Sequence, residues 1–409
     1  MIVGGGFGGL QCAKSLRDEP VDVVLVDRHN YHLFTPLLYQ VASCLLNPSE
    51  IAAPLRKVLR GAPNQRFRQG DVTHVDFTAK RVELADGATL EYDVLVLATG
   101  SITNYYGNAS IETRALGLKD LGQALRLRNH VLECLEHATT VPTDEARRRL
   151  LTFCIVGGGP TGVEYAGALA ELVRLVLPME YPEIPPADVR IVLLEGGDRL
   201  LPMFVPRLSK YARRQLERRN IEVRTNTLVE SADDAGVVLR DGTEIATASV
   251  VWTAGVRPND VVHASPRRLD VDDHLRVRGT DDVYAIGDVA AVRDRNGNPL
   301  PMVSPPAMQA GRYVGRQIAR PRSAGARKPF RYRDKGTLAT IGRHAAVGQV
   351  GRLRFRGFVG WIVWLVVHLY YLIGFENRLQ VMLRWSWYYL RLDRPVRVIL
   401  EVDRPPGRE

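Results

Sequence analysis

Short apolar, β-branched runs alternate with longer stretches of helical periodicity along most of this chain. Val21 to Asp27 (VDVVLVD) predicts a buried parallel strand, and residues 92–100 (YDVLVLATG) predict another that ends in a glycine. A helix is expected over about 118–137, followed by a charged link, TDEARRRL, at 143–150. A second strand-and-glycine start occupies 151–162 (LTFCIVGGGPTG), and helix resumes through Leu177 until PMEYPEIPPADVR breaks it. The run VRIVLLE then ends at Glu195. Strand–helix alternation of this kind predicts parallel sheets covered on both faces. Residues 320–330 (RPRSAGARKPF) read as a basic loop, and from Arg352 onward the composition shifts to Trp, Tyr, Leu and Arg.

One element recurs, a glycine turn that opens a helix. GGGFGG sets Gly4, Gly6 and Gly9 at GxGxxG spacing, with Gly8 beside them, and GGGPTG sets Gly157, Gly159 and Gly162 likewise. In such turns the first glycine permits the bend and the second lets backbone approach a pyrophosphate. The third lets helix pack close to strand, and the helix N-terminus supplies the positive end of a dipole. A single match is weak, because three glycines fall into a loop by chance. A strand-end carboxylate should follow to accept hydrogen bonds from the adenosine ribose. Asp27 follows Gly9 by eighteen residues, and Glu195 follows Gly162 by thirty-three, a gap lengthened by the proline-rich insertion. Each acid alone reads equally as an ordinary strand-end charge; two matches in one chain favour two dinucleotide sites. An acid at Glu195 also disfavours a 2′-phosphate, which predicts NADH rather than NADPH at the second site. Ala98, Thr99 and Gly100 close a strand that would rejoin the first nucleotide domain, and VYAIGD at 283–288 offers the Gly287 N–H to a phosphate and Asp288 to a ribityl hydroxyl. The first domain is therefore expected to be interrupted by the second.

Length and composition narrow the class. The 409 residues exceed what one core supports, and 45% hydrophobic with 24% charged residues excludes disorder. A net charge of +10 favours anionic partners without choosing among them. The cysteines, Cys12, Cys44, Cys134 and Cys154, form no CxxC pair, so neither a zinc site nor a disulfide framework is expected and a reducing compartment fits. No secretory signal opens the chain. A whole strand should precede the first glycine turn, so the start at Met1-Ile2-Val3 suggests a natural start upstream or a trimmed chain.

These residues carry a resemblance. DRHNYHLFTPLLYQVA at 27–42, LATG at 97–100, GGGPTGVEYAGALAE at 157–171, TAGVRPN at 253–259, YAIGDVA at 284–290, DKGTLATIGR at 334–343 and HLYYLIGFENR at 368–378 resemble the two-dinucleotide-binding flavoproteins. Within that superfamily they resemble the type II (non-proton-pumping) NADH:quinone oxidoreductases. The resemblance implies FAD held by the Gly4–Gly9 turn, Asp27 with Arg28, Thr99 with Gly100, and Gly287 with Asp288. It implies NADH held by the Gly157–Gly162 turn, Glu195 and the Ala254–Gly255 loop. Glu164 matches a glutamate near the junction of nicotinamide and flavin, where it would orient the nicotinamide or relay a proton; an acid stabilised by the helix dipole is the plainer alternative. Lys335 matches a lysine near the flavin, where its charge would favour the anionic reduced ring, though a surface turn lysine is an equal reading. Gln309 matches the second of two glutamines beside the quinone. The first position holds Pro305, which offers no side-chain amide, so quinone binding is expected to be altered and another acceptor stays open.

The expected fold is α/β: two Rossmann-like dinucleotide-binding domains, one inserted in the other, plus a C-terminal amphipathic helical membrane-binding segment. The expected boundaries are 1–115 and 271–330 for FAD, 116–270 for NADH and 331–409 for membrane attachment. Residues 358–375 contain eighteen residues with no formal charge except on His368, barely the length of a span. Beyond them Asn377, Gln380, Arg384 and Arg391 form one polar stripe among aromatic residues, with Arg352, Arg354 and Arg356 upstream. A pair of helices lying on an anionic lipid surface is expected, peripheral on the cytoplasmic face of the cell membrane. A single span and a dimer-forming core remain as alternatives. The lack of paired cysteines argues against a disulfide-type or sulfide-oxidising relative, and the scattered basic residues argue against nucleic acid. A reductase of a soluble carrier and a redox-sensing NAD(H)-binding protein stay open.

Overall fold

The computed structural model describes residues 1–259, 261, 267–320, 328–391 and 396–400; most of the expected loop at 320–330 and the side chain of Arg391 lie outside them. The chain folds into two compact units. The first comprises Met1–Leu33, Ala52–Ile102 and Val256–Lys335. Its parallel sheet orders the strands Val283–Ala285, Leu95–Leu97, Ile2–Val3, Val23–Asp27 and Gln65–Gln69. Ile2 pairs with both Leu25 and Val96, while Tyr284 pairs with Val96, so the strand entering from position 283 completes the sheet begun at the N-terminus. The expected interruption of one Rossmann-like domain by the other is therefore present. The first four strands in this order are short and almost wholly apolar, as strands buried in a parallel sheet are, whereas Gln65–Gln69, at one edge, buries only Gln65 and Phe67.

The second unit comprises Phe34–Ile51, Thr103–Gly255 and the chain from Gly336 onward. Its parallel sheet orders Leu116–Gly117, Ser249–Trp252, Thr152–Val156, Arg190–Leu194 and Ile221–Arg224. Cys154, Val156, Val192, Leu194, Val250 and Trp252 pack beneath an antiparallel sheet that contributes Ala232, Val237, Leu239 and Ile245. Cys154 is a core hydrophobe here, and burial pushes its thiol up to about 12.

Two local expectations change. The charged link is a helix, Asp144–Leu150. The Thr143 side chain accepts from the Ala146 N–H at 3.3 Å, with Asp144 and Glu145 in the first turn and Arg147 to Arg149 in the last, so cap and dipole both favour helix. The helix expected to stop at Leu177 runs from Pro160 to Glu180 with Pro178 inside it. Pro178 falls in the final turn, where few further hydrogen bonds depend on it.

The C-terminal region begins with a three-stranded hairpin sheet, Thr337–Gly342, Ala345–Val350 and Leu353–Arg356, followed by helices Gly357–Tyr371 and Phe375–Arg391. The uncharged stretch thus yields a helix of 15 residues that ends where Leu372 turns extended, and Gly374 adopts φ +89°. Among the described residues no helix is long and apolar enough to cross a membrane. Trp361, Trp364, Val381, Trp385 and Tyr388 are buried, while Phe358, Ile362, Val366 and Tyr370 project outward every fourth residue. Phe375, Leu379, Leu383, Trp387 and Leu390 project outward on the second helix at spacings of four and, last, three residues. The polar stripe departs from expectation at Asn377 and Arg384, while Gln380 is exposed. Arg384 pairs with Glu50 at 3.1 Å, and the Asn377 amide reaches the Ser49 carbonyl at 3.5 Å. The helix is rolled so that these groups satisfy a buried carboxylate and a helix end, and apolar side chains are turned outward instead.

Candidate active site

The two glycine turns are near copies in atomic detail. Gly4 and Gly157 adopt φ +106° and +112°, left-handed values that admit glycine and little else. A Cβ on Gly9 would lie 1.9 Å from the Gly4 carbonyl oxygen, and one on Gly162 would lie 1.9 Å from that of Gly157. These third glycines exist for close packing of helix on turn. A Cβ on Gly6 or Gly159 would meet nothing within 4 Å, so the fold does not demand glycine there, and glycine leaves the backbone open to close approach by a ligand. Gly6 and Gly159 each precede a helix whose first N–H groups have no side-chain cap, Phe7–Ser15 and Pro160–Glu180. This arrangement fits a dinucleotide pyrophosphate in both units.

The strand-end acids are part of the same device. One Asp27 oxygen accepts from the Gly5 N–H at 2.6 Å and the other from the His29 N–H at 2.7 Å. One Glu195 oxygen accepts from the Gly158 N–H at 2.6 Å and the other from the Gly197 N–H at 2.6 Å. Each carboxylate therefore fixes the middle glycine of its turn and keeps lone pairs for ribose hydroxyls. Sequence spacing pointed to the acids; Gly5 and Gly158, their partners, carry no signal of their own inside a run of three glycines. Glu195→Gln would put an amide N–H against one of two backbone donors. It should raise the KM for NADH about tenfold in steady-state assays, with little change in bound flavin.

Other sequence-predicted residues of the first unit gather around its turn. Ser101 donates to Asp288 at 2.5 Å, and Gly287 adopts φ +74° at a cleft lined also by Pro306 and Ala307. Thr99 donates to the Asn259 carbonyl at 2.5 Å, while the Asn259 N–H reaches the Gly100 carbonyl at 3.0 Å. Asn259, the last residue of TAGVRPN, thus bonds both Thr99 and Gly100. Gly8 is buried, and a Cβ there would crowd Ile286 and the Ala307 carbonyl; it serves the crossing of helix Phe7–Ser15 with helix Ser304–Ala319, where a Cβ on Gly311 would come 2.1 Å from the Gly8 oxygen. Arg28 is exposed with Asp71 at 4.0 Å. His32, missed at the sequence level, is buried with Nδ1 2.9 Å from the Gly5 carbonyl, and burial pushes its pKa down to about 4, which keeps the ring neutral beside the turn.

Gln309 lies on the helix Ser304–Ala319 and is engaged at both ends of its amide. Nε2 donates to the Arg333 carbonyl at 2.9 Å, and Oε1 accepts from the Arg333 N–H at 3.0 Å. It thereby ties this helix to the segment that ends in Lys335, which is exposed. Pro305 and Pro306 fall in the first turn of the same helix, where a missing N–H has no cost and a fixed φ favours helix.

In the second unit Ala254 and Gly255 form a loop against Gly157. A Cβ on Gly157 would lie 2.7 Å from Ala254 backbone, and the Thr253 hydroxyl bonds the Val156 and Gly157 carbonyls at 2.9 and 3.1 Å. Tyr106 donates to the Ala254 carbonyl at 2.9 Å, holding the loop from outside. Glu164 lies one turn into helix Pro160–Glu180, 8% exposed, and accepts from the Thr340 N–H at 3.1 Å. Burial pushes its pKa up to about 8, so it carries a proton at neutral pH. One helical repeat on, buried Glu171 accepts from the Arg343 N–H and from the Tyr388 hydroxyl, the latter at 2.5 Å.

With this geometry in place, the kinship of the chain can be read. The pyridine nucleotide-disulphide oxidoreductase family matches residues 1–311. The type II NADH:quinone oxidoreductase NdhA of Mycobacterium tuberculosis is 38% identical, over 94% of this chain and 86% of its own length. The chain belongs to the type II NADH:quinone oxidoreductases. A second member of that family from the same organism, Ndh, is also 38% identical, over 96% of this chain and 88% of its own. The solved structure of NDH2 from Plasmodium falciparum in complex with NADH superposes with a TM-score of 0.89 at 22% identity, covering 98% of this chain and 99% of that one, which attests the fold. FAD and NADH are the two nucleotides of this family, and the two acid-clamped turns have the geometry of two dinucleotide sites.

Proposed function

We propose that this protein oxidises NADH with FAD as its resident redox group and reduces a membrane quinone without pumping protons. The observation that carries this reading is the duplicated glycine turn with its clamped acid, in a chain of this family. FAD, when bound, supplies the chemistry that accepts a hydride and gives up two electrons. The protein does the rest. The Gly4–Gly9 turn, Asp27 and the Gly287–Asp288 corner hold FAD; the Gly157–Gly162 turn, Glu195 and the Ala254–Gly255 loop hold NADH. Glu164, protonated in its apolar setting, orients the nicotinamide or holds a proton at its carboxyl oxygen. Lys335 supplies positive charge toward the reduced ring, and Gln309 positions the segment that carries Lys335. The outward apolar faces of helices Gly357–Tyr371 and Phe375–Arg391 attach the enzyme to the bilayer in which its acceptor dissolves, on the cytoplasmic face where NADH is made.

The test is an assay of purified protein with NADH and a panel of quinones, oxygen and soluble dyes, for the parent and Pro305→Gln. The parent should reduce at least one quinone much faster than oxygen. Pro305→Gln, which restores an amide at the departed position, should lower the quinone KM about tenfold. If no quinone outruns oxygen, the quinone assignment is wrong. A soluble electron carrier is the second reading, favoured by Pro305 and by the engaged amide of Gln309; dyes outrunning every quinone in both proteins would support it.

A further inference from the structure

The helix Pro206–Glu217 packs on its unit through Leu208, Ala212 and Leu216, all buried. Its opposite side is a line of cations. Arg207, Lys210, Arg214 and Arg218 are exposed, and their spacing of three, four and four residues sets them along one face. Among the described residues none of these four forms an ion pair. Arg213, off that line, is neutralised by Glu217 at 2.7 Å. Tyr211 lies beside the line, and the Arg356 guanidinium sits 5.7 Å from the centre of its ring. Arg354 and Arg356 are exposed two residues apart on the strand Leu353–Arg356, so they share one face of it, and Arg352 is exposed in the turn before it. A Cβ on the next residue, Gly357, would lie 3.3 Å from the Tyr211 hydroxyl, and Gly357 begins the helix whose Phe358, Ile362, Val366 and Tyr370 point outward. Seven exposed cations therefore lie on a helix and a strand-and-turn that meet at Tyr211 and Arg356, and the strand leads into a helix with an exposed apolar face.

We propose that the Arg207–Arg218 stripe is a docking surface for the anionic headgroups of a bilayer, continuous with the apolar face that enters it. This deepens the membrane attachment proposed above and rests on that reading. The two faces divide the work. Apolar side chains bind any lipid, whereas the stripe distinguishes anionic from zwitterionic surfaces and does so less well as salt rises. A solvated charge run would have no reason to abut the apolar helix start, and the continuity through Tyr211 and Arg356 favours lipid over nucleic acid.

The test uses the full-length holoprotein in vesicle co-sedimentation. Vesicles are of phosphatidylcholine alone, or of phosphatidylcholine with about thirty per cent phosphatidylglycerol, a surface charge of physiological order. The variant Arg207→Gln/Lys210→Gln/Arg214→Gln/Arg218→Gln should bind the anionic vesicles at least about tenfold less than the parent, with a weaker salt dependence. Its binding to phosphatidylcholine and its NADH:dye turnover should match the parent's, and Arg207→Lys/Arg214→Lys/Arg218→Lys should retain anionic binding. Equal binding of parent and variant to anionic vesicles overturns the inference while leaving attachment intact. Failure of both proteins to bind any vesicle overturns the attachment reading as well. Tighter binding of the parent to duplex DNA than to anionic vesicles, abolished in the variant, also overturns it.

Discussion

Gly9→Ala should yield a protein purified with at least about tenfold less bound flavin, read as flavin absorbance per protein. The added methyl would stand 1.9 Å from the Gly4 carbonyl oxygen and 3.2 Å from Ile2 Cγ2. Gly4 is held in place, its N–H donating to the Val26 carbonyl at 2.7 Å and its φ of +106° already one that only glycine tolerates. Relief must come from moving the helix Phe7–Ser15 off the turn, which takes the first N–H groups of that helix away from the pyrophosphate. Losses of several kcal/mol follow from overlap of this size against backbone. Gly6→Ala separates folding from binding. Its methyl meets no protein atom within 4 Å, so the turn should survive while FAD is still lost, the methyl standing where the ligand approaches. Full flavin occupancy in Gly6→Ala would remove Gly6 from the binding site.

Glu164→Gln should slow NADH-driven flavin reduction at saturating NADH by about a hundredfold if the carboxyl handles a proton in that step. The same substitution has a consequence for stability that a merely structural acid would share. Burial raises the carboxyl from its ordinary 4.5 to about 8. Between those two values the unfolded chain is ionised at this residue while the folded chain is not, so unfolding releases a proton. The contribution is full below about 4.5 and declines as pH rises toward about 8. Glutamine resembles the protonated acid and does not titrate. The variant should therefore gain stability relative to the parent as pH climbs from 5 to 8, measured as the difference in denaturation midpoint. A flat difference across that range would mean Glu164 is ionised in the folded protein. A flat difference in rate, with the stability trend intact, would leave Glu164 a helix-packing acid.

What the sequence made legible was the part written in local spacing. GGGFGG, GGGPTG, Asp27 and Glu195 each sit at a fixed offset within one strand–turn–helix, and the return of the first domain at VYAIGD follows from the rule that a strand needs neighbours. The segment TDEARRRL was legible too, since Thr143 is a standard cap, but its three arginines read as a link. Contacts between distant residues were not legible. Nothing near Gln40 announces that it accepts from Trp385 Nε1 at 2.8 Å, and nothing near Glu171 announces Tyr388. The C-terminal helix shows why this matters. Asn377 and Arg384 form a polar stripe whether they face water or a buried acid, so periodicity gives the amphipathic axis without its direction. Only Glu50, more than three hundred residues away in the chain, decides that Arg384 turns inward.

That inward roll makes the C-terminal helix pair inseparable from the enzyme. Trp364, Trp385 and Tyr388 are buried against Tyr39, Gln40 and Glu171 respectively, and Arg384 beside them pairs with Glu50. Cutting the chain before Gly357 to obtain a water-soluble enzyme would strip the lid from this polar seam, leaving Glu50 without its arginine and Glu171 without its hydroxyl. A detergent-free preparation is better sought on the outside of the same helices, by exchanging Phe358, Val366, Tyr370 and Leu390 for polar residues while the inward anchors stay in place.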